Sequence, residues 1–362
     1  MESKPLKYQR LADDLRRDIL ASVWVQGAKL PTDDELQRER GVALSTVRRA
    51  YDVLVAEGLV ERRQGAGTFV ATRAAPGAGG SVTIGVLVPT TQLYYGQVMQ
   101  GIEAQLSMGR AGLRFATYQY DSAEEDRRIA DLLAAGVDAL IVVPTLTTGD
   151  PRARIAALRA LPVPVVLMER QPPRDDPGEA SEFVCSDHAG GAFDAVQHLA
   201  GLGHRRIAML GRGDAATCAG VRAGYRAALQ QSAERLDGIE IVHANDEWPR
   251  RIDRALAELG EAGCTAALVF GDREATLLLH AAARAGLSVP GDLAVVSYDD
   301  EFADLAPVPL TAVAPPKHRL GQVAARLALQ RLQEGDNGPL EQVLLRPRLV
   351  VRDSCGAISR IR

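Results

Sequence analysis

Lysine is nearly absent from most of this chain. Lys4, Lys7, Lys29 and Lys317 are the four in 362 residues, and one alone lies beyond position 29. That scarcity disfavours Schiff-base chemistry in the large part of the molecule, where a lysine would have to act as nucleophile. Cysteine is as scarce: Cys185, Cys218, Cys264 and Cys355 are far apart and form no C-x-x-C pair. They read as buried small hydrophobes, neither a disulfide framework nor a zinc site. No apolar run approaches the roughly 18 residues needed to cross a bilayer. The stretch from Met1 to Arg17 is charged and amphipathic, without the apolar core of a signal peptide. A cytoplasmic protein with no membrane partner is expected. The chain also lacks a Ser/His/Asp order, a metal-spaced cluster and a phosphate-binding glycine loop. No catalytic residue, metal or cofactor is therefore expected, and the chain is not read as an enzyme.

What is present is the composition of a soluble globular protein, 46% hydrophobic and 24% charged, which excludes collagen-like, coiled-coil and mainly disordered chains. The length suggests two or three domains. Net charge is −4. Residues 1–72 hold twelve Lys/Arg against eleven Asp/Glu, and the remainder 30 against 35. The first segment is thus close to neutral, so charge alone does not diagnose nucleic-acid binding, and such a reading must rest on pattern.

Residues 71–81, rich in Gly and small residues and without periodicity, read as a flexible linker. They separate a segment of residues 1–70 from one of residues 82–362. In the first, Tyr8, Leu11, Ala12, Leu15 and Ile19 recur at helix spacing. Thr32 and Glu35 are spaced as a capping box opening a second helix, which Gly41 stops. Val47, Ala50, Tyr51 and Leu54 mark the buried side of a third helix. Two short helices around Gly41-Val42-Ala43 form a helix-turn-helix pattern. Residues 59–62 and 68–70 flank a Gly-containing loop, a hairpin that supplies the wing of a winged helix.

The long segment alternates strands and helices. Apolar strands at Ile84–Val88, Ala139–Val143 and Val163–Leu167 are echoed at Ile207–Leu210, Gly263–Phe270 and Leu293–Ser297. A helix between the first two is expected to open at a Ser122/Glu125 capping box. The repeat predicts an α/β domain of two Rossmann-like lobes with parallel sheets, and a ligand cleft between them where strand C-termini meet.

The outer side of the third helix presents Ser45, Arg48, Arg49 and Asp52. The arginine fork matches the two acceptors of a guanine edge and also binds phosphate. Lys7, Thr32, Ser45 and Thr46 can donate to phosphates, and Arg63 on the hairpin is a further candidate contact. In the long segment, carboxylates, arginines and aromatic rings suited to a small polar ligand lie at strand ends. They are Tyr94, Tyr95, Tyr118, Tyr120, Glu169, Arg170, Asp272 and Asp299, with Asp187 near a crossover.

Both segments resemble known families. Residues 5–70 are similar to the winged helix of the GntR family of bacterial regulators. The resemblance is carried by Tyr8, Leu15-Arg16, Gly27, Leu30-Pro31, Glu35-Leu36, Gly41-Val42, Thr46-Val47-Arg48, Leu54, Glu57-Gly58-Leu59-Val60, Gln64-Gly65 and Gly67-Thr68-Phe69-Val70. Residues 82–355 resemble the LacI-family effector domain, itself similar to periplasmic sugar-binding proteins. Here the matching residues include Ile84-Gly85-Val86, Gly101-Ile102-Glu103, Asp187, Gly190-Gly191, Leu202 through Ala208, Gly224-Tyr225, Val289-Pro290 and Asp299-Asp300. The combination resembles the arabinose-repressor type.

The resemblance implies DNA contact at Arg48 and a wing tip, Gln64 and Gly65, in the minor groove. It implies ligand contacts at Tyr94/Tyr95, Glu169, Gly271-Asp272 and Asp299. It also implies three chain crossings between the lobes, expected near 185–188, 310–314 and 334–340. The chain departs from the usual pattern at Asp34 and Leu44 in the reader. It departs also at Val221, where the family has arginine, and at Gly271, where it has asparagine. Arg170 or the adjacent Arg222 can substitute for the lost hydroxyl-binding groups.

The expected function is a ligand-responsive transcription repressor that binds a palindromic double-stranded operator as a homodimer and responds to a sugar-like effector. A near-neutral reader offers few phosphate contacts, so two readers on one operator are needed. The rivals are a solute-binding protein and a winged helix fused to a pyridoxal-phosphate enzyme, the latter disfavoured by the context of Lys317.

Overall fold

The computed structural model describes residues 7–20, 24, 27–56, 59–63, 66–70, 82–173, 178–213, 215–232, 235–335 and 338–357. The chain divides into two compact units, Met1–Gly80 and Ser81–Arg362. The stretch read as a linker, 71–81, lies outside the described residues.

The small unit contains α1 (Lys7–Leu20), α2 (Asp33–Arg40), α3 (Leu44–Ala56) and a hairpin of β1 (Val60–Arg63) and β2 (Gly67–Val70). Its core is made by the predicted stripes: Leu11, Ala12 and Leu15 of α1 meet Val47, Ala50, Tyr51 and Leu54 of α3. Thr32 caps α2 in a complete capping box, and Gly41 ends it in the left-handed region at φ 61°, where glycine meets no Cβ penalty. The hairpin is antiparallel, with Val60 opposite Val70 and Arg63 opposite Gly67. Backbone bonds from Leu30 N to Thr68 O and from Val70 N to Ala28 O hold it against the 27–30 segment.

The large unit is two α/β lobes. The first contains β3 (Thr83–Val88), α4 (Tyr94–Met108), β4 (Gly112–Thr117), α5 (Ser122–Ala134), β5 (Ala139–Val142), α6 (Pro151–Arg159), β6 (Val165–Met168) and β7 (Glu182–Ser186). The second contains α7 (His188–Gly201), β8 (Ile207–Arg212), α8 (Cys218–Gln231), β9 (Glu240–His243), α9 (Trp248–Glu261), β10 (Ala266–Val269), α10 (Asp272–Arg284), β11 (Ala294–Tyr298) and β12 (Thr311–Ala314). The chain then returns through α11 (Lys317–Glu334) and β13 (Gln342–Leu345) to the first lobe and ends with β14 (Arg348–Val350) in the second.

The sheets run β13-β7-β6-β5-β3-β4, all parallel, and β14-β12-β11-β10-β8-β9, parallel except for β14. Their central strands are buried apolar runs, as strands covered by helices on both faces require. The duplication extends to helix packing. α4 crosses α11 where a Cβ on Gly321 would lie 2.0 Å from the Val98 carbonyl oxygen. α7 crosses α8 where one on Gly224 would lie 1.9 Å from that of Ala189. Only glycine permits backbones to approach so closely.

The lobes are joined at Asp187, at Pro315-Pro316 and at Arg346-Pro347. The second crossing lies past the expected 310–314, because β12 occupies those positions. The third is not at 334–340, which merely turns the chain from α11 into β13 within the first lobe. The α5 cap also differs from expectation. Asp121, not Ser122, caps the helix by accepting from Ala123 N and Glu124 N. Glu125 is buried, where it accepts from Thr145 N at 3.0 Å and pairs with Arg154 at 2.5 Å.

Candidate functional site: a reader face and an interlobe cleft

Burying Val47, Ala50, Tyr51 and Leu54 leaves Ser45, Arg48 and Arg49 exposed on the other side of α3, with Thr46 half-buried. Arg48 Nε lies 3.1 Å from Asp33 Oδ2. The Arg49 guanidinium sits 5.0 Å above the Tyr8 ring. Arg63 pairs with Glu61 and lies 4.7 Å above Phe69. Exposed pairs of this kind contribute about 1 kcal/mol or less and are readily exchanged for phosphate. Arg62, which sequence reasoning missed, joins the hairpin to α3 by pairing with Asp52 at 3.2 Å. Gln64, Gly65 and the Lys7 side chain lie outside the described residues.

Thr32 corrects an expectation. Its hydroxyl donates to Glu35 Oε2 at 2.9 Å and accepts from Glu35 N at 3.3 Å. Its N–H donates to the same carboxylate oxygen at 2.8 Å. These bonds hold the Glu35 carboxyl below its usual range. The hydroxyl proposed for phosphate is therefore committed to the start of α2. Thr32→Ala is expected to cost about 1 kcal/mol of stability, measured by urea unfolding.

In the large unit, a cavity of about 500 Å³ opens between the lobes, within the usual range for small-molecule sites. The first lobe contributes Tyr94, Tyr95, Tyr118, Tyr120, Thr145, Thr147, Glu169 and Arg170; the second contributes His188, Arg212, Thr217, Asn245, Phe270 and Asp299. Glu169 and Asp299 occupy equivalent places in the duplication, each directly after the fourth strand of its lobe in chain order. Both have left-handed backbones, φ 56° and 95°, a strained conformation for non-glycine residues that gathers at functional sites.

Glu169 is enclosed. Oε1 accepts from the Tyr94 hydroxyl and from Ser186 Oγ at 2.7 Å. Oε2 faces Ser186 N at 3.3 Å and His188 Nε2 at 3.1 Å. Burial alone would raise its pKa, but His188, Tyr94 and Ser186 bring it down to about 2. His188 Nδ1 meets the Tyr298 hydroxyl at 3.0 Å. The imidazole therefore ties β6 of one lobe to β11 of the other. A second tie is Lys317, the first residue of α11, which pairs with Glu301 at 2.7 Å and donates to the Asp299 carbonyl. The lysine weighed for cofactor chemistry is thus occupied at the hinge.

Asp299 lacks such partners. No hydrogen bond or ion pair among the described residues reaches its carboxylate, and burial pushes its pKa up to about 6. The folded value exceeds the 3.8 of an ordinary aspartate, so the protonated form is favoured in the fold. The associated stability is full below pH 3.8 and is lost as pH rises through 6. Asp299→Asn is expected to remove this dependence, worth on the order of 2 kcal/mol, as judged by urea unfolding at pH 5 and pH 8.

Tyr94, Tyr95, Tyr118, Glu169, Arg170 and Asp299 line one cavity as a group. Asp272 and Arg222 do not. Asp272 accepts from Ser297 Oγ at 2.7 Å, Glu301 N at 2.6 Å and Phe302 N at 3.0 Å, so it fastens the turn after β11. Arg222 pairs with Glu240 of β9 at 2.8 Å. The residues missed were His188, Arg212, Thr145, Thr147, Thr217, Asn245 and Phe270. Arg212 ends β8 and Asn245 follows β9, so the strand-end rule could have found both.

Comparison with known proteins bears on both units. The model for bacterial regulatory proteins of the gntR family matches residues 7–70, and that for a periplasmic binding protein-like domain matches residues 196–355. The arabinose metabolism transcriptional repressor of Geobacillus stearothermophilus is 28% identical, covering 98% of this chain and 99% of its own. That of Halalkalibacterium halodurans is also 28% identical, over 96% of both chains. The solved transcription regulator GntR from Chromobacterium violaceum superposes with a TM-score of 0.63 at 27% identity, covering 75% of this chain and 99% of its own. A LacI family regulator from Enterococcus faecium with bound ribose gives 0.60 at 26%, covering 75% and 98%.

Proposed function

We propose that this protein, a transcription regulator in which a gntR-family winged helix is joined to a LacI-type, periplasmic-binding-protein-like sensor, is a cytoplasmic repressor that binds its operator as a homodimer. Residues 1–70 are the reader, 82–362 the sensor, and 71–81 join them. The observation that carries the reading is that both lobes contribute polar side chains to a single cavity while three crossings hold them as a hinge. A ligand filling such a cavity touches both lobes only when they close. It therefore binds the closed state more tightly and shifts the population towards it by that difference.

On the DNA side, Arg48 and Arg49 face the major groove, with Ser45 and Thr46 at phosphates and Arg63, Gln64 and Gly65 at the minor groove. The near-neutral reader limits phosphate contacts, so a symmetric dimer on a palindrome supplies the affinity. The relatives' names point to a sugar-related effector.

The test has two arms. A duplex selected from a random pool by the full chain should be palindromic, and its affinity should fall with salt. Thermal melting against sugars, their acids and phosphates should identify a stabilising ligand. Binding indifferent to ionic strength would contradict the reader, and melting unmoved by every compound would contradict the sensor.

A further inference from the structure

Counting hydrogen-bond capacity in the cleft separates it from a site for an uncharged sugar. Neutral sugars present hydroxyls that need acceptors as much as donors, and carboxylates are the usual acceptors. Here Glu169 has both oxygens taken by Tyr94, Ser186 and His188. Asp272 is taken by Ser297 and the 301–302 backbone. Among the carboxylates of the described residues that line the cleft, Asp299 alone remains.

The donors are in the opposite condition. Arg170 makes one hydrogen bond among the described residues, to the Glu169 carbonyl at 2.7 Å. Arg212 makes none among them, and its Nε is buried without an acceptor. Its guanidinium lies 4.8 Å above the Phe270 ring, a stacking that fixes the plane of the fork. α8 begins beside Arg212 at Thr217, which makes no side-chain cap, so its amide end adds positive potential to the same wall.

On the premise that the cleft is the effector site, we infer that its effector is a hydroxylated anion of sugar size, carrying a carboxylate or phosphate held by Arg212 and Arg170. Guanidinium forks bind both groups in a bidentate manner. The two arginines belong to different lobes, Arg170 following β6 and Arg212 ending β8. Both line the same cavity, so an anion held by the two forks at once draws the lobes together. The charge of the effector thus supplies the differential affinity for the closed state. The tyrosines of the first lobe offer ring faces to the carbon skeleton.

The test uses the full chain with matched sets: glucose, gluconate and glucose 6-phosphate; arabinose, arabinonate and arabinose 5-phosphate; and inorganic phosphate alone. Melting and calorimetric titration are read for the natural protein and for Arg212→Gln, Arg212→Lys and Arg170→Gln. An anionic member is expected to bind at least about tenfold more tightly than its neutral counterpart. Each glutamine variant should weaken that binding about tenfold or more, with Arg212→Lys recovering part. Carboxylate and phosphate arms identify the group. Arg212→Gln gives up the stacking on Phe270 and the attraction to Asp299 but no side-chain hydrogen bond among the described residues, so its unliganded melting should shift little. A neutral sugar binding as tightly as its anions, glutamine variants that leave anion affinity intact, or no anion binding at millimolar concentration would each overturn the inference. In the first two cases the sensor reading stands. That reading fails only if no compound, charged or neutral, changes melting or operator binding.

Discussion

Replacing Arg48 by alanine is expected to weaken binding to a selected operator by about 2–6 kcal/mol, since a bidentate arginine–guanine contact is worth about 1–3 kcal/mol and the proposed dimer would make it twice. The loss should exceed that for Arg49→Ala, which gives up its stacking on Tyr8 and a contact of less specific character. Arg48 is exposed and paired with Asp33, so its removal should leave thermal melting nearly unchanged. The variant also separates direct readout from backbone attraction. A base contact, when lost, relaxes preference at one operator position, whereas a phosphate contact lowers affinity for all sequences and shallows the salt dependence. Competitive binding with operators altered one base pair at a time distinguishes them. Uniform weakening across all operators would place Arg48 on the phosphate backbone instead.

His188→Ala should destabilise the sensor strongly, by about 3–5 kcal/mol, the usual cost of removing one partner from a buried charged group. Glu169 is almost wholly enclosed, with 1% of its side chain exposed, and cannot turn to water. The acid response gives a second signature. Glu169 has a folded pKa of about 2 against 4.5 for an ordinary glutamate. It therefore contributes stability above pH 4.5 that is lost as pH falls towards 2. In His188→Ala that acid-dependent portion shrinks, because the residual carboxylate titrates nearer its ordinary value. Urea unfolding at pH 3 and pH 6 measures both effects. His188 also spans the lobes through Tyr298, so the variant should retain DNA binding yet respond more weakly to effector.

Features set by neighbours in the chain were legible before the structure. The Thr32/Glu35 box and the Gly41 stop depend on a few adjacent residues. The paired strands are continuous apolar runs that admit few alternatives. Features set by distant partners were not. Ser122 and Glu125 have capping-box spacing, but Glu125 is drawn into the core by Arg154 and Thr145, which leaves Asp121 to cap. Asp272 has the residue type and strand-end position of a ligand contact. Three donors from the 297–302 segment claim it instead. Arg212 stands at a strand end, where the same rule that picked Glu169 and Asp299 could have found it; that its side chain lacks a hydrogen-bonding partner among the described residues depends on distant neighbours and was not legible. The last lobe crossing was misplaced because β13 and β14, two residues apart, belong to different sheets.

The central claim is that occupancy of the cleft and occupancy of the operator are coupled through one molecule. The most direct measurement is a reciprocal titration: operator affinity with and without the effector identified by melting, and effector affinity with and without operator. Coupling predicts that both change by the same factor, as linkage requires. Two affinities each indifferent to the other ligand would contradict the account.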